Sequence, residues 1–290
     1  MKKKTAVGYA ILAAALYAIN VPISKILLNH IGTTMMAAFL YLGAGIGLLI
    51  YSLIGKTIGN KKKQERLTKK ELPFTVGMVV LDILAPIFLM LGIQRTNSAN
   101  VSLLNNFEIV ATSLIALLIF KEQISKLLWQ AIAMVVAASI ILTFESNGAF
   151  IFNEGSMFVL AASVCWGLEN NCTNKISHKS AVEIVIIKGC FSGMGSMLVA
   201  LFIGEKFPAL KWIILVLLLG FIAYGLSINF YIRAQNQLGA AKTSAFYSVA
   251  PFLGVAFGML ILSERPGIQF YIALLIMVVS TILMIKDTLK

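Results

Sequence analysis

The sequence is poor in charged residues and in the residue types that bind metals or carry out catalysis. Only 12% of its 290 residues are charged, and it contains 3 cysteines and 2 histidines. It has no CxxC or HExxH motif, and neither His30 nor His178 has a potential ligand at helical spacing, so we expect no metal site and no cofactor. No serine motif stands beside a histidine, and the sequence therefore predicts that the protein is not an enzyme.

What the chain has in abundance is apolar sequence. Hydrophobic residues make up 59% of it, and its mean hydropathy is +0.90. A bilayer core of about 30 Å requires roughly 20 helical residues to cross it. Ten apolar stretches have about this length, at residues 5–28, 33–55, 73–94, 98–119, 127–144, 155–176, 182–203, 211–233, 240–262 and 267–285. They predict an all-α membrane protein with ten transmembrane helices, joined by loops too short for a soluble domain.

Positive charge is concentrated in alternate loops. The net charge is +12, from 24 Lys and Arg against 12 Asp and Glu. In a soluble protein this excess would suggest nucleic-acid binding. Here most basic residues fall on one side of the predicted spans, so the positive-inside rule predicts a plasma-membrane protein with both termini cytoplasmic and no nucleic-acid partner. The basic loop from Lys56 to Lys70 belongs to this signal, and binding of anionic lipid headgroups is its alternative role.

The two halves of the chain share an order of elements. Residues 99–144 overlie residues 241–286, each with an apolar helix, a short loop and a second apolar helix. We therefore divide the chain into residues 1–148 and 149–290, each with five predicted spans and with a break near residues 147–154. Five crossings place the second half upside down in the membrane. Such inverted repeats are typical of secondary transporters, whose site lies near the midplane where the halves meet.

Several short motifs carry a resemblance to a known family. They are Tyr17-Ala-Ile-Asn20, Ala99-Asn-Val-Ser-Leu-Leu and Ile119-Phe-Lys-Glu122 in the first half, and Trp166-Gly-Leu, Ala240-Ala-Lys-Thr-Ser-Ala, Pro251 and Leu260-Ile-Leu-Ser-Glu264 in the second. Over essentially its whole length the sequence resembles the drug/metabolite transporter superfamily, EamA type. The resemblance implies ten spans in two five-span units. It also implies a cargo drawn from amino acids, other metabolites, drugs and nucleotide-linked compounds.

One position departs from the pattern of that family. Ile109, preceded by Glu108, stands in the fourth span where the pattern expects a proline. A helix kink in the first half is therefore not implied by the resemblance, and a carboxyl group is present that the resemblance does not supply.

Ionisable groups inside predicted spans are the main candidates for function, because each costs about 2.5–3.5 kcal/mol to insert. The clear cases are Asp82, Glu108, Glu169 and Lys188. Asp82 and Glu108 are expected at similar depth, where a facing pair would carry a proton or receive a cation. The alternative is that they are neutral and bonded to Asn105 or to neighbouring helices. Glu169 and Lys188 are also expected at matching depth, either as a structural ion pair or as a gate that opens when substrate arrives.

Polar stripes on the fourth and ninth spans predict that these two spans face each other across a central cavity. The stripes are Ser102, Asn105, Glu108 or Ile109, and Thr112 in the first half, and Ser244, Tyr247 or Ser248, Pro251 and Gly254 in the second. Helix-to-helix hydrogen bonding is the competing explanation. Tyr17, Trp166 and Tyr247 would stack on a substrate ring or serve as packing aromatics. Gly189-x-x-x-Gly193 predicts a close helix crossing.

These observations favour a secondary transporter that exports a small metabolite, such as an amino acid, by rocking the two five-span units. Proton-coupled efflux of cationic compounds is the alternative, and a lipid flippase or a passive scaffold is a further one. The chain has no P-loop, which argues against direct use of ATP. The expected partners are the bilayer, a small-molecule substrate and, in the alternative, a proton. The candidate substrate-binding or coupling residues are Asn20, Asp82, Asn105, Glu108, Trp166, Glu169, Asn170, Lys188 and Tyr247.

Overall fold

The described part of the protein is all helical. The computed structural model describes residues 3–57, 65–96, 101, 104–105, 107–143, 154–262 and 268–289. Most of the predicted break near residues 147–154, together with Ser102 and Glu264, lies outside these residues. The α-helices are α1 Lys3–Ala18, α2 Asn20–Leu27, α3 Thr33–Thr57, α4 Leu72–Arg95, α5 Phe107–Leu118, α6 Lys126–Thr143, α7 Glu154–Ile176, α8 Ala181–Phe202, α9 Leu210–Leu219, α10 Ser227–Tyr247, α11 Ala250–Leu262 and α12 Ile268–Leu289. A 3₁₀ turn at Lys69–Glu71 precedes α4, and a π-helical segment at Gly220–Leu226 joins α9 to α10.

Six helical stretches within the described residues are long and apolar enough to cross a membrane. They are Lys3–Leu27, Thr33–Ile54, Lys69–Arg95, Ala181–Phe202, Leu210–Ile261 and Tyr271–Thr288. Leu210–Ile261 covers two of the predicted spans, and α5 and α6 are shorter apolar helices. Large apolar side chains such as Leu118, Phe202 and Leu260 point away from the protein interior. This outward apolar surface suits contact with lipid tails, and the number of ten spans stays a prediction.

A glycine lies between the predicted eighth and ninth spans. Gly239 has φ 80° and ψ 175° inside the range of α10, a backbone conformation that glycine adopts at little cost. A Cβ on this residue would also lie 2.4 Å from Oε1 of Glu122. The Glu122 carboxylate accepts a hydrogen bond from the Ala240 N–H at 3.2 Å, so a loop of the first half caps the helix that follows Gly239. Burial raises the pKa of Glu122, and the backbone hydrogen bonds from Ala240 and Ala241 oppose this rise.

Three of the predicted spans are interrupted. The first is divided between α1 and α2 at Ile19, and the ninth between α10 and α11 at Ser248. In the fourth, Asn105 lies in a turn ahead of α5, and its carbonyl accepts from the Glu108 N–H at 3.1 Å. In the overlay of the two halves, Asn105 lies opposite Tyr247. The fourth and ninth spans are therefore interrupted at matching places, although only the ninth contains a proline.

The most extensive helix packing joins the two halves of the sequence. Helix α3 packs on α8, α4 on α7, α1 on α10 and α6 on α12. Each of these pairs takes one helix from residues 1–148 and one from residues 149–290. The halves therefore interlock, and their buried side chains form two hydrophobic clusters that each draw on both halves.

Close contact of α3 with α8 depends on glycine. A Cβ on Gly189 would lie 2.3 Å from the Gly45 backbone nitrogen, and one on Gly193 would lie 2.7 Å from the Leu42 backbone nitrogen. The close crossing predicted from Gly189-x-x-x-Gly193 is thus present within the chain. Small residues let helix backbones approach in this way inside a membrane, where dispersion contacts are the main source of helix association.

We predict that Gly189→Ala destabilises the protein by about 1–3 kcal/mol, because the added methyl group forces α3 and α8 apart. The matched control is Gly8→Ala in α1, where a Cβ meets no atom within 4 Å. That variant should be neutral or stabilise α1 by about 0.5–1 kcal/mol. Thermal unfolding of both purified variants, followed by size-exclusion chromatography in detergent, measures the difference. Equal melting temperatures would contradict the close-packing account.

Candidate functional site

A cavity lies in the interior, where helices of both halves meet. Its volume is about 50 Å³, which is room for a few water molecules and less than drug-sized ligands require. The lining residues come from α1, α3, α5, α7, α8, the π-helical segment and α10, and they are Tyr17, Tyr41, Glu108, Trp166, Glu169, Asn170, Thr173, Lys188, Tyr224, Ile228, Tyr231, Ile232 and Tyr247. This conformation therefore has to widen before a metabolite can enter.

Aromatic rings form most of the cavity wall. Tyr17 meets Trp166 edge to face at 6.4 Å between centroids, and it also contacts Tyr224 at 5.7 Å and Tyr247 at 5.6 Å. Tyr231 meets Tyr247 at 5.0 Å. Tilted and edge-to-face contacts of this kind stabilise aromatic clusters beyond their burial alone. The lining therefore combines these rings and their hydroxyl groups with the aliphatic side chains of Ile228 and Ile232.

The π-helical segment places one of these rings. Tyr224 lies within Gly220–Leu226 and meets Tyr41 at 5.1 Å. Its hydroxyl accepts a hydrogen bond from Nδ2 of the fully buried Asn20 at 3.4 Å. Asn20 thus lies behind the wall and supports Tyr224, while its own Oδ1 accepts from Ser24 at 3.0 Å. Segments of π-helix are frequent at functional sites, and this one aims a tyrosine into the cavity.

A buried ion cluster adjoins the cavity, and two of its three side chains line it. Nζ of Lys188 lies 2.8 Å from Oε1 of Glu169 and 3.1 Å from Oδ2 of Asp82. The three side chains are exposed by 5%, 2% and 0%. The ion pair predicted between Glu169 and Lys188 is present, and Asp82 joins it from α4. The Tyr41 hydroxyl donates to Oδ1 of Asp82 at 2.6 Å, and the Thr173 hydroxyl donates to Glu169.

Glu108 lines the cavity, whereas Asp82 lies behind the lining. Its Oε1 accepts from Nδ2 of Asn170 at 2.6 Å, and Asn170 also donates to Thr112 at 3.3 Å. Asp82 and Glu108 therefore do not form a facing pair, because each carboxylate is bonded to neighbouring helices, as the alternative interpretation expected. Helix α4 turns Asp82 towards Tyr41 on α3 and Lys188 on α8, whereas the first turn of α5 directs Glu108 towards α7.

A second, smaller cavity lies where the fourth and ninth predicted spans meet. Its volume is about 10 Å³, which is close to the minimum for one water molecule. It is lined by Asn105, Glu108, Ile109, Ser244, Tyr247, Ser248 and Ala250. The predicted facing of these two spans is thus observed. Glu108 and Tyr247 line both cavities, so the two spaces adjoin at these residues.

Six of the nine candidate residues line the larger cavity: Glu108, Trp166, Glu169, Asn170, Lys188 and Tyr247. Asn105 lines only the smaller one, and Asn20 and Asp82 support lining residues from behind. Sequence reasoning missed Tyr41, Tyr224, Tyr231 and Thr173. A signal for the first two was present, because both stand near the middle of predicted spans, whereas tyrosine in membrane proteins prefers the interfaces.

We predict that Lys188→Met destabilises the protein by about 3–5 kcal/mol, because it leaves two buried carboxylates without their counter-ion. The triple variant Asp82→Asn, Glu169→Gln, Lys188→Met removes all three charges and should recover most of this loss. Melting temperatures in detergent test the comparison. A triple variant no more stable than the single variant would show that the ions do not depend on one another.

Comparisons with known proteins agree with this architecture. Residues 4–144 and 153–286 match the EamA-like transporter family. An "Uncharacterized transporter" of Methanothermobacter thermautotrophicus is 23% identical over 291 residues, covering 94% of this chain and 84% of the relative. A solved structure described as "Crystal structure of protein" shares the fold with a TM-score of 0.78, at 14% identity over 96% of this chain and 95% of that chain. The chain therefore belongs to the EamA-like transporter family, and it is a multi-pass membrane transporter of small compounds rather than an enzyme.

Proposed function

We propose that the protein is a secondary transporter that exports a small polar metabolite, such as an amino acid, by alternating access. The observation that carries this proposal is the central cavity, which combines a buried ion cluster with an aromatic wall. Its lining comes from α1, α3 and α5 in the first half and from α7, α8 and α10 in the second. A site shared by two halves is what an inverted-repeat transporter requires.

The proposed topology has ten spans in two inverted five-span repeats, with both termini in the cytoplasm and the protein in the plasma membrane. Two features of the chain support the repeats: the family match covers two stretches of similar length, and the fourth and ninth spans are interrupted at matching places. The orientation is supported by the distribution of lysine and arginine.

We further propose that alternating access moves the two hydrophobic clusters against each other rather than the two halves of the sequence. The first cluster is built mainly from α3, α4, α7 and α8, and the second mainly from α1, α6, α10 and α12. The halves share their tightest contacts, so separating them would disrupt pairs such as α3 with α8. The larger cavity is lined by Tyr41, Trp166 and Tyr224 of the first cluster. The adjoining smaller cavity is lined by Ala250 of the first cluster and Ile109 of the second.

Transport by purified protein in liposomes tests this proposal. We expect exchange of a radiolabelled amino acid from a panel of amino acids, cationic dyes and lipids, and we expect Glu108→Ala to reduce it at least about tenfold, equivalent to about 1.4 kcal/mol, by removing a lining carboxylate. Phe202→Leu on the outer surface is the control and should transport normally. Movement of lipid alone, or of no compound in the panel, would overturn the proposal.

Proton-coupled efflux of cationic compounds is the second candidate. It is favoured by one observation: the carboxyl groups of Asp82, Glu108 and Glu169 outnumber a single buried ammonium group, that of Lys188, which Asp82 and Glu169 contact. Negative charge in excess inside a membrane is costly, and either a proton or a cationic substrate relieves it.

For this candidate we predict that Glu108→Gln abolishes transport driven by a pH gradient while exchange at equal pH continues. The amide keeps an oxygen that accepts from Asn170 but cannot release a proton. Uptake of a cationic dye into liposomes, with and without the gradient, measures both activities. Transport by the variant that still follows the pH gradient would exclude Glu108 as the coupling residue.

A further inference from the structure

We propose that the larger cavity selects an ammonium group, and that Glu169 exchanges its ion pair between Lys188 and the ligand while Asp82 retains Lys188. This inference deepens the proposed function by naming the substrate class, which is amines and quaternary ammonium compounds. It also assigns different roles to two carboxylates that contact the same lysine.

The two carboxylates differ in what else holds them. Asp82 is fully buried, is absent from the cavity lining, and has its other oxygen bonded to the Tyr41 hydroxyl at 2.6 Å. Glu169 lines the cavity, and its partners are Lys188 and the Thr173 hydroxyl one turn along the same helix. Glu169 is therefore the carboxylate that a ligand reaches, whereas Asp82 is placed behind Lys188.

The charge of the lining favours a cation. It contains two carboxyl groups, from Glu108 and Glu169, and one ammonium group, from Lys188. That ammonium group already contacts two carboxylates, one of them Asp82 outside the lining. An anionic ligand would have to displace one of these contacts and would also face Glu108 across a cavity of low dielectric. A cationic ligand also separates Glu169 from Lys188, but it replaces the lost contact by pairing with Glu169 itself, and Glu108 attracts it.

The aromatic wall favours the same class of ligand. Five tyrosines and Trp166 line the cavity, and the faces of such rings attract ammonium groups, most of all when water is excluded. Aromatic cages with a nearby carboxylate are a general means of recognising methylated and unmethylated amines. The wall and the carboxylates act on the same cation, so they reinforce one another.

The exchange keeps every buried charge paired. Before binding, Lys188 contacts both Asp82 and Glu169. After binding, Lys188 keeps Asp82, and Glu169 pairs with the ligand. Removing one partner from a buried ion pair is strongly destabilising, and the presence of Asp82 avoids this step. A single carboxylate opposite Lys188 would not allow it.

Matched thiol reagents of opposite charge test the selection directly. We replace Cys165, Cys172 and Cys190 by alanine and introduce Ile228→Cys, at a position that lines the cavity without bonding to the ion cluster. The purified protein is treated with trimethylammonium-ethyl or sulfonato-ethyl methanethiosulfonate. Each rate is divided by that of the same reagent with 2-mercaptoethanol. We expect the normalised rate to be at least about tenfold higher for the cationic reagent.

Two further variants identify the residue responsible. Glu169→Gln should lower the ratio of cationic to anionic rates several-fold. Glu154→Gln is the matched control, since it makes the same change on the same helix at an exposed position that pairs with Arg95. It should leave the ratio unchanged. In the Glu154→Gln control, tetramethylammonium chloride should slow the reaction of the introduced thiol more than sodium chloride does at equal concentration. This protection should be lost in Glu169→Gln.

A ratio near one, a ratio that does not respond to Glu169→Gln, or a thiol that reacts only after denaturation would overturn the inference. If Ile228→Cys does not fold, Ile232→Cys provides a second reporter in the same lining. The outcome is separate from that of the transport assay. Cation selection without transport would contradict the proposed function but support the ammonium site. Transport without cation selection would support the proposed function but contradict the ammonium site.

Discussion

Lys188 has to be paired inside a membrane protein, and the structure pairs it twice. Its contacts with Asp82 on α4 and Glu169 on α7 connect three helices through one buried ammonium group. A charge at such depth costs several kcal/mol unless it is compensated, so these helices cannot move apart freely at this point. The hydrogen bonds from Tyr41 and Thr173 add to this compensation, because each donates to one of the two carboxylates that hold Lys188.

Close backbone packing supplies the rigid support for this cluster. Gly45, Gly189 and Gly193 bring α3 against α8, which fixes both Tyr41 and Lys188 on one surface. The opposite surface is built from α5 and α10, where interrupted helices place Glu108 and Tyr247. Helix interruptions expose backbone polar groups, and inside a membrane they are tolerated only within protein or beside a water-filled space. Their position next to both cavities is consistent with that rule.

The sequence predicted how deep in the membrane the charged side chains lie, but it said much less about the direction in which each one points from its helix. Counting along the apolar stretches placed Glu169 and Lys188 at one level, and the ion pair is present. The same count placed Asp82 and Glu108 at similar depth, but it carried no information on how each helix is rotated about its axis. Asp82 turned out to face Lys188, and Glu108 to face Asn170. Tyr41 and Tyr224 were missed for a related reason, since they come together through packing of α3 against the π-helical segment, and the sequence does not specify that packing.

By itself the sequence determined that the chain is a helical membrane protein, which side chains are costly at depth, and which family it resembles. These properties depend on the length and polarity of consecutive residues and on short motifs, and both are local. Only the tertiary structure decided that Asp82 joins Glu169 in holding Lys188, which rings enclose the cavity, and that the tightest helix pairs join the two halves. Those outcomes depend on helix rotation and on contacts between residues far apart in the chain, and no local pattern specifies them.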